Sequence, residues 1–374
     1  MPLPYRMNYK IRLYTPDLPG VDALAPFMRR IEAAQWYTNF GPLERALAAE
    51  VAALLDADHP PAVATASSGT AALTLALSAL QLRAGSAVLT PALTFPATAA
   101  AIRAAGLEPL LADVDPDEWR LTPEIAAPWR GRVSAVVPVA AFGVGLPVTP
   151  WDAFADESGL PVLFDAAGAL GNQAMPKRCV AAFSLHATKT LGVGEGGILA
   201  AYDAGLVERA RRLSNFGFED GVTVAPTGNA KFSEWHAAVG LAQISRSHAL
   251  WEAKKSLSAA YRLALPQLPM QKGAPGNLVV RLPVSADRTA DRLADEGIET
   301  RRFYQPDLTR HPAYECSPRA GELSTTAALH DRLLGLPFHG RLTPEDVVTV
   351  TRALTAAVAH IEQEESRRWA PAFP

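Results

Sequence analysis

The 374-residue sequence predicts an α/β protein, with a largely parallel sheet covered on both faces by helices and a smaller C-terminal α+β part. Three observations carry that expectation. Short apolar runs without in–out alternation recur between about residues 45 and 205, as strands buried on both faces require. Longer helix-like stretches separate them, long enough to serve as crossovers between parallel strands. The valine-rich runs end in polar residues, which suits strands better than an all-helical, alanine-rich chain.

The elements follow in order. A strand is expected at residues 61–66 (PAVATA), then a helix over 70–82 with leucines at 73, 75, 77 and 80. A strand at 87–89, a helix at 97–105 and a strand at 108–114 come next. Apolar runs at 133–140, 161–165, 180–185 and 198–202 supply further strands. Residues 206–265 read as helical, apart from a Gly- and Asp-containing break at 217–228. A Pro/Gly-marked stretch at 266–276 precedes an edge-like strand at 277–283, a helix at 287–296 and a long helix at 345–365. The domain boundary is placed near residue 250, giving a larger domain 1–250 and a smaller one 251–374. A helix at 21–33 is expected to join the C-terminal part.

Composition bounds the function. Hydrophobic residues make up 49% and charged ones 20%, so the chain can build a sizeable core. The formal net charge of −3 supplies no general attraction for nucleic acid or an anionic membrane. Two cysteines, Cys179 and Cys316, make neither a disulfide framework nor a CxxC metal site, and no metal is expected. The opening residues lack an apolar signal segment. The most apolar long run, 135–148, is interrupted by Pro138, Gly143, Gly145 and Pro147, short of a membrane span. The expectation is a cytoplasmic protein.

Three motifs bear chemistry. Ser67-Ser68-Gly69-Thr70 stands between a strand and a helix, where free N–H groups and the helix dipole favour a phosphate; an ordinary N-cap is the simpler alternative. Asp165 ends a parallel strand, at the edge where α/β proteins bind ligands, or else caps the turn that follows. Lys189 follows an apolar strand and precedes a glycine-rich turn, where partial desolvation favours its neutral amine. Gly192, Gly194 and Gly197 match GxGxxG literally, but they lead into a strand-like run rather than a helix, which excludes a dinucleotide fingerprint.

Taken together, these features suit pyridoxal 5′-phosphate. A lysine holds the aldehyde, a carboxylate pairs with the protonated pyridine nitrogen, and a strand–helix turn cradles the phosphate. Phe95, in Thr94-Phe95-Pro96-Ala97-Thr98, is placed to stack on the ring.

These residues resemble the DegT/StrS-type nucleotide-sugar aminotransferases of PLP fold type I. The similarity runs through Thr38-Asn39-Phe40-Gly41-Pro42, Ser68 to Leu73, Thr94-Phe95, Asp113-Val114-Asp115 with Trp119, and Asp165-Ala166-Ala167. It continues through Ser184 to Lys189, Gly194-Glu195-Gly196-Gly197, Asn229 to Glu234 and Arg302-Phe303-Tyr304. It implies a mainly parallel seven-stranded sheet with Lys189 as the catalytic residue. Gly69, Thr70, Phe95, Asp165, Ala167, Ser184 and Asn229 would join Lys189 in binding the cofactor. Asn229 would reach the neighbouring subunit's phosphate, which implies a homodimer. Thr38, Asn39, His186, Lys231 and Tyr304 match positions lining the sugar-nucleotide pocket.

The chain departs from the family in two places. Gly168 replaces the usual Gln or His beside the ring 3-hydroxyl, and Ala140 replaces a frequent His. Asn229 to Glu234 and Arg302-Phe303-Tyr304 resemble the branch acting at C4 of 4-keto-6-deoxysugars. The implied reaction is amination of a nucleotide-linked ketosugar, such as a dTDP-4-keto-6-deoxyhexose, with glutamate as donor. Dehydration or epimerisation of the sugar, or a non-catalytic sensor, are the alternatives. Arg301 and Arg302 are candidates for the donor carboxylate, a surface ion-pair role being equally open.

Overall fold

The computed structural model describes residues 9–225 and 227–369. The first eight residues, read above for targeting signals, and Pro226, in the break at 217–228, lie outside the described residues. Seven strands form the main sheet: β1 (Ala62–Ala66), β2 (Ala87–Pro91), β3 (Glu108–Ala112), β4 (Ala135–Val136), β5 (Leu163–Asp165), β6 (Val180–Ser184) and β7 (Gly197–Ala201). One ladder orders them β1-β7-β6-β5 and another β3-β2-β4. The two ladders join where β4 meets β5. Val136 N–H donates to the Pro161 carbonyl at 3.0 Å, and Asp165 N–H to that of Pro138 at 2.9 Å. Only β7 runs against its neighbours, β1 and β6. A two-residue strand, Arg319–Ala320, adds an eighth member beside β3, which no sequence signal announced.

Successive strand residues feed opposite cores. Leu89, Val136, Phe164, Phe183 and Ile198 pack on one face, and Val88, Ala135, Leu163, Ala182 and Leu199 on the other. Both faces are therefore apolar, which is why these strands showed no alternation in the sequence. The helices α2 (Pro42–Leu55), α3 (Gly69–Ala79) and α4 (Ala97–Ala104) supply part of the cover.

The helix α1 (Val21–Ala34) corrects one expectation. It packs on the helix Glu234–Ile244, because its apolar stripe of Phe27, Met28 and Ile31 faces the larger core. The residues before it make the link to the C-terminal part. Ile11 bridges Ile298 in parallel, and Leu13 N–H donates to Glu299 Oε2 at 3.0 Å. In that part, the strand Val279–Arg281 pairs antiparallel with Leu333–Gly335 beneath the helices Ala286–Asp295 and Pro344–Trp369. The helix Ser247–Ala264 bridges the two cores, with Leu250 and Trp251 against the larger and Tyr261 in the smaller.

Glu234 ties the helix it opens to α2. Its carboxylate, 1% exposed, accepts from the N–H groups of Leu43 and Glu44, both at 2.8 Å. These are first-turn donors of α2 that have no intrahelical acceptor. Glu234→Ala is expected to cost about 2–4 kcal/mol, since two buried donors lose a charged acceptor, and Glu234→Gln less. Equilibrium urea denaturation measures both, and equal stability of all three proteins would contradict the assignment.

Candidate active site

The carboxyl ends of β1, β2, β5 and β6, together with the start of β7, meet along one edge of the sheet. Register brings distant residues together there: Gly197 lies opposite both Ala66 and Ser184. The start of α3 consequently rests on β6. A methyl group at Gly69 would lie 2.7 Å from Ser184 Cβ, and one at Gly197 would lie 2.2 Å from the Ser68 carbonyl oxygen. Only glycine permits this approach.

Ser68 caps α3, its Oγ accepting from Ala71 N–H at 3.1 Å, and its carbonyl accepts from Ala72 N–H at 3.0 Å. Both readings of the motif therefore hold. The serine is an N-cap, and among the described residues the N–H groups of Gly69 and Thr70 donate to nothing. Two open donors at the positive end of an 11-residue helix are the features that favour an anion.

Asp165 is 5% exposed. Its Oδ2 accepts from Thr98 Oγ1 at 2.7 Å, and its Oδ1 from Ala167 N–H at 3.2 Å. Thr94 Oγ1 lies 2.9 Å from Thr98 Oγ1 and completes the relay. Burial pushes the Asp165 carboxyl above the usual carboxylate range; Thr98, Ala167 and the charge of Lys189 act in the opposite direction. The sequence motifs alone assign Thr98 no role. Its spacing, one helical turn beyond Thr94, was the available signal.

Lys189 lies in the turn after β6, its N–H donating to the His186 carbonyl at 2.8 Å. Burial lowers the pKa of its amine, Asp165 opposes that effect and Arg301 adds to it. Among the described residues this amine has no hydrogen-bond or ion-pair partner. Phe95, 55% exposed, lies in the segment between β2 and α4 that leaves the same sheet edge. Gly168 is explained by packing, because a Cβ there would lie 3.1 Å from Gly143 Cα. A side chain there would need the Gly143 backbone to give by a few tenths of an ångström.

Tyr304 comes from the C-terminal part. Its ring stacks on Phe142 at 5.2 Å, and burial raises its hydroxyl pKa, with Asp165 and Arg301 close enough to be felt. Tyr14 lies near Arg301 and Tyr304 and had no local signature in the sequence. Arg302 separates from Arg301. It is ion-paired to Asp287 and, at 3.1 Å, to Asp331, and it donates to two backbone carbonyls, so it is structural.

The remaining predicted residues occupy more open positions. His186 N–H donates to Ser184 Oγ at 3.2 Å, and the ring lies 3.7 Å from Glu195. Thr38, Asn39 and Asn229 are exposed. Asn229 precedes Ala230, whose carbonyl accepts from Ser67 N–H at 2.8 Å. Lys231 Nζ donates to Asn215 Oδ1 at 2.7 Å and lies over the Phe216 ring. Thr38, Asn39, Asn229 and Lys231 share no hydrogen bond or ion pair with Asp165 or Lys189 among the described residues, whereas the His186 carbonyl accepts from Lys189 N–H.

A buried carboxylate without a cation bonded to it, a desolvated free amine, an open helix N-terminus and an exposed aromatic ring are what pyridoxal phosphate requires, and the residues present fit it. Fold and site define a PLP-dependent aminotransferase. The chain belongs to the DegT/DnrJ/EryC1/StrS aminotransferase family, whose model matches residues 23–355. It is 32% identical over 377 residues to Protein Rv3402c of Mycobacterium tuberculosis, covering 93% of this chain and 90% of that protein. It is 29% identical over 372 residues to the dTDP-4-amino-4,6-dideoxy-D-glucose transaminase of Escherichia coli, covering 93% and 99%. The crystal structure of DesI with its TDP-sugar product superposes with a TM-score of 0.84 at 30% identity, covering 98% of this chain and 97% of that one.

Asp165→Asn should act with opposite signs on the protein without and with cofactor. A raised carboxyl pKa means that folding stability, full below the unfolded value of about 4, declines as pH rises through the folded value. The cofactor-free variant should therefore lose that decline and be the more stable protein at neutral pH in urea titrations. Its affinity for cofactor should fall about 10- to 100-fold, since a charge-assisted bond is lost. Unchanged affinity would remove Asp165 from the site.

Proposed function

We propose that this aminotransferase moves an amino group from glutamate to a nucleotide-linked ketosugar, a dTDP-4-keto-6-deoxyhexose, in two half-reactions at one site. The observation that carries the reading is the unpaired, desolvated Lys189 amine facing Asp165 at the sheet edge that also holds the open N-terminus of α3. The E. coli relative and DesI, whose names and ligand concern dTDP or TDP sugars, support the substrate class.

Bound there, the cofactor supplies an electron sink for the carbanion formed at the substrate's reacting carbon. Lys189 Nζ would accept the proton released by that carbon, hold it as an ammonium and give it back in the reverse half-reaction, which requires the neutral amine that burial favours. Gly69, Thr70 and Ser184 hold the phosphate. Asp165, oriented by Thr98 and Ala167 N–H, holds the pyridinium, and Phe95 covers the ring. Arg301, free of the ion pairs that bind Arg302, meets the donor carboxylate. Thr38, Asn39, His186, Lys231 and Tyr304 line the sugar-nucleotide pocket.

The active unit is a homodimer in which Asn229 reaches the neighbouring subunit's phosphate. Two exposed aromatic pairs support this, Tyr37 against Trp235 at 5.9 Å and Phe216 against Phe218 at 6.0 Å. The protein works in the cytoplasm. Among the described residues no helix is long and apolar enough to cross a membrane. The larger domain spans 1–250 and the smaller 251–374, and the helix Ser247–Ala264 packs against both cores.

Glutamate should bleach the visible absorbance of the loaded protein, and a panel of nucleotide ketosugars should restore it, the aminated product being read by NMR. Colour that persists with glutamate and every other amino donor would refute transamination. Lys189→Ala should lower turnover by at least about 10³-fold.

Mixed dimers test Asn229 separately. Combining Lys189→Ala with Asn229→Ala subunits leaves one intact site if Asn229 acts across the interface. About half of wild-type turnover at limiting cofactor is then expected, as the two-fold symmetry requires. No recovery above the Asn229→Ala homodimer would place Asn229 in its own subunit's site.

A further inference from the structure

A second lysine lies against the pocket of Lys189, and the motifs described above do not include it. Lys254, on the helix Ser247–Ala264, donates from Nζ to the Gly276 carbonyl at 3.0 Å and lies 5.5 Å from the centre of the Phe338 ring. Among the described residues no carboxylate pairs with it. Glu252 and Lys255, on the same helix, pair with each other at the surface at 2.7 Å.

Bare backbone separates this amine from Lys189. Gly276 N–H donates to the Phe142 carbonyl at 2.9 Å, and a methyl at Gly276 would lie 2.5 Å from the Gly168 carbonyl oxygen. A methyl at Gly143 would lie 2.6 Å from Gly276 N, and one at Gly168 would come within 4.0 Å of Lys189 Nζ. Gly143, Gly168 and Gly276 thus form a wall without side chains, with one amine on each side.

We propose that Lys254 is a positioning residue of the reaction, whose ammonium, fixed behind this glycine wall, disfavours protonation of the Lys189 amine. The inference rests on Lys189 being the catalytic amine. Two ammonium groups in a poorly solvated site repel, so a proton on one lowers the proton affinity of the other, and they titrate as a coupled pair. Burial and the charge of Lys189 lower Lys254 to about 8, which leaves it mostly protonated at neutral pH.

The other charged groups divide between the two amines. Asp165 draws a proton towards Lys189, and Arg301 repels one. Tyr14 and Tyr304 stay neutral because burial raises their hydroxyls. His339, near Lys254, is held below its ordinary value by burial and stays neutral at pH 7.

The test is titration of Lys189 in the cofactor-free protein after reductive ¹³C-methylation, read by NMR and assigned by the signal missing from Lys189→Ala. Lys254→Gln keeps a donor for the Gly276 carbonyl but removes the charge. It should raise the Lys189 pKa by about one unit, tenfold in proton affinity, and shift the acidic limb of the kcat profile upward by the same amount. Lys254→Arg should restore the wild-type values. An unmoved Lys189 titration in Lys254→Gln would overturn the proposal, as would a shift in Lys254→Arg equal to that in Lys254→Gln. If Lys254→Gln does not fold, Lys254→Arg against Lys254→Met gives the same contrast. Borohydride trapping of cofactor followed by peptide mapping separates the two readings. Label absent from Lys189 defeats the proposed function, whereas label on Lys189 with an unmoved titration defeats only the role of Lys254.

Discussion

Burying a carboxylate as fully as Asp165 costs several kcal/mol unless hydrogen bonds and a counter-charge offset it. Much of the architecture around this residue serves that offset. The joint between β4 and β5 fixes its backbone, with its N–H on the Pro138 carbonyl and its own carbonyl accepting from Ala140 N–H at 2.9 Å. The start of α4 delivers Thr98 to one oxygen, and the turn after β5 delivers Ala167 N–H to the other. Neither partner carries charge. The unmet part of the cost favours a cation at this position, and the charge of Lys189 supplies part of it.

A second constraint works by closeness rather than charge. The cradle exists because Gly69 and Gly197 let the start of α3 settle onto β6 and β7, with gaps that no Cβ could occupy. On the far side of Lys189, Gly143, Gly168 and Gly276 bring three backbones together in the same way. The loss of the usual family side chain at Gly168 is thereby tied to Gly143 and Gly276: with the three backbones packed this tightly, a side chain at 168 would have to displace its neighbours. The two glycine sites differ in consequence, since one leaves donors open to an anion and the other keeps side chains out of the space between the Lys189 and Lys254 amines.

Most strands and long helices were legible, because apolar runs and helical stretches are local signals. Alanine- and leucine-rich α3 is bounded by its sequence pattern within three residues at its far end, and a serine cap at its start is one of the two readings the motif allows. The Arg319–Ala320 strand was not legible: two residues carry no period, and only β3 gives them a partner. The segment around Ile11 escaped for the same reason, its role being set by Ile298 and Glu299 nearly three hundred residues away. Arg301 and Arg302 looked equivalent as neighbours. The backbone turned one toward Asp287 and Asp331 and the other toward the site.

By itself the sequence determined the chemical inventory: a lysine after a strand, an aspartate ending another, a small-residue turn opening a helix, and the family those motifs identify. Such features are local, and local chemistry is written in residue type and spacing. Tertiary structure decided which of those groups share a low-dielectric space, and therefore which way each one titrates. It placed Thr98 on Asp165, set Lys254 behind the wall of glycines and removed Arg302 from the site. Proton affinity depends on the distance between charges and on the depth of burial, and both are properties of the packed chain rather than of any segment of it.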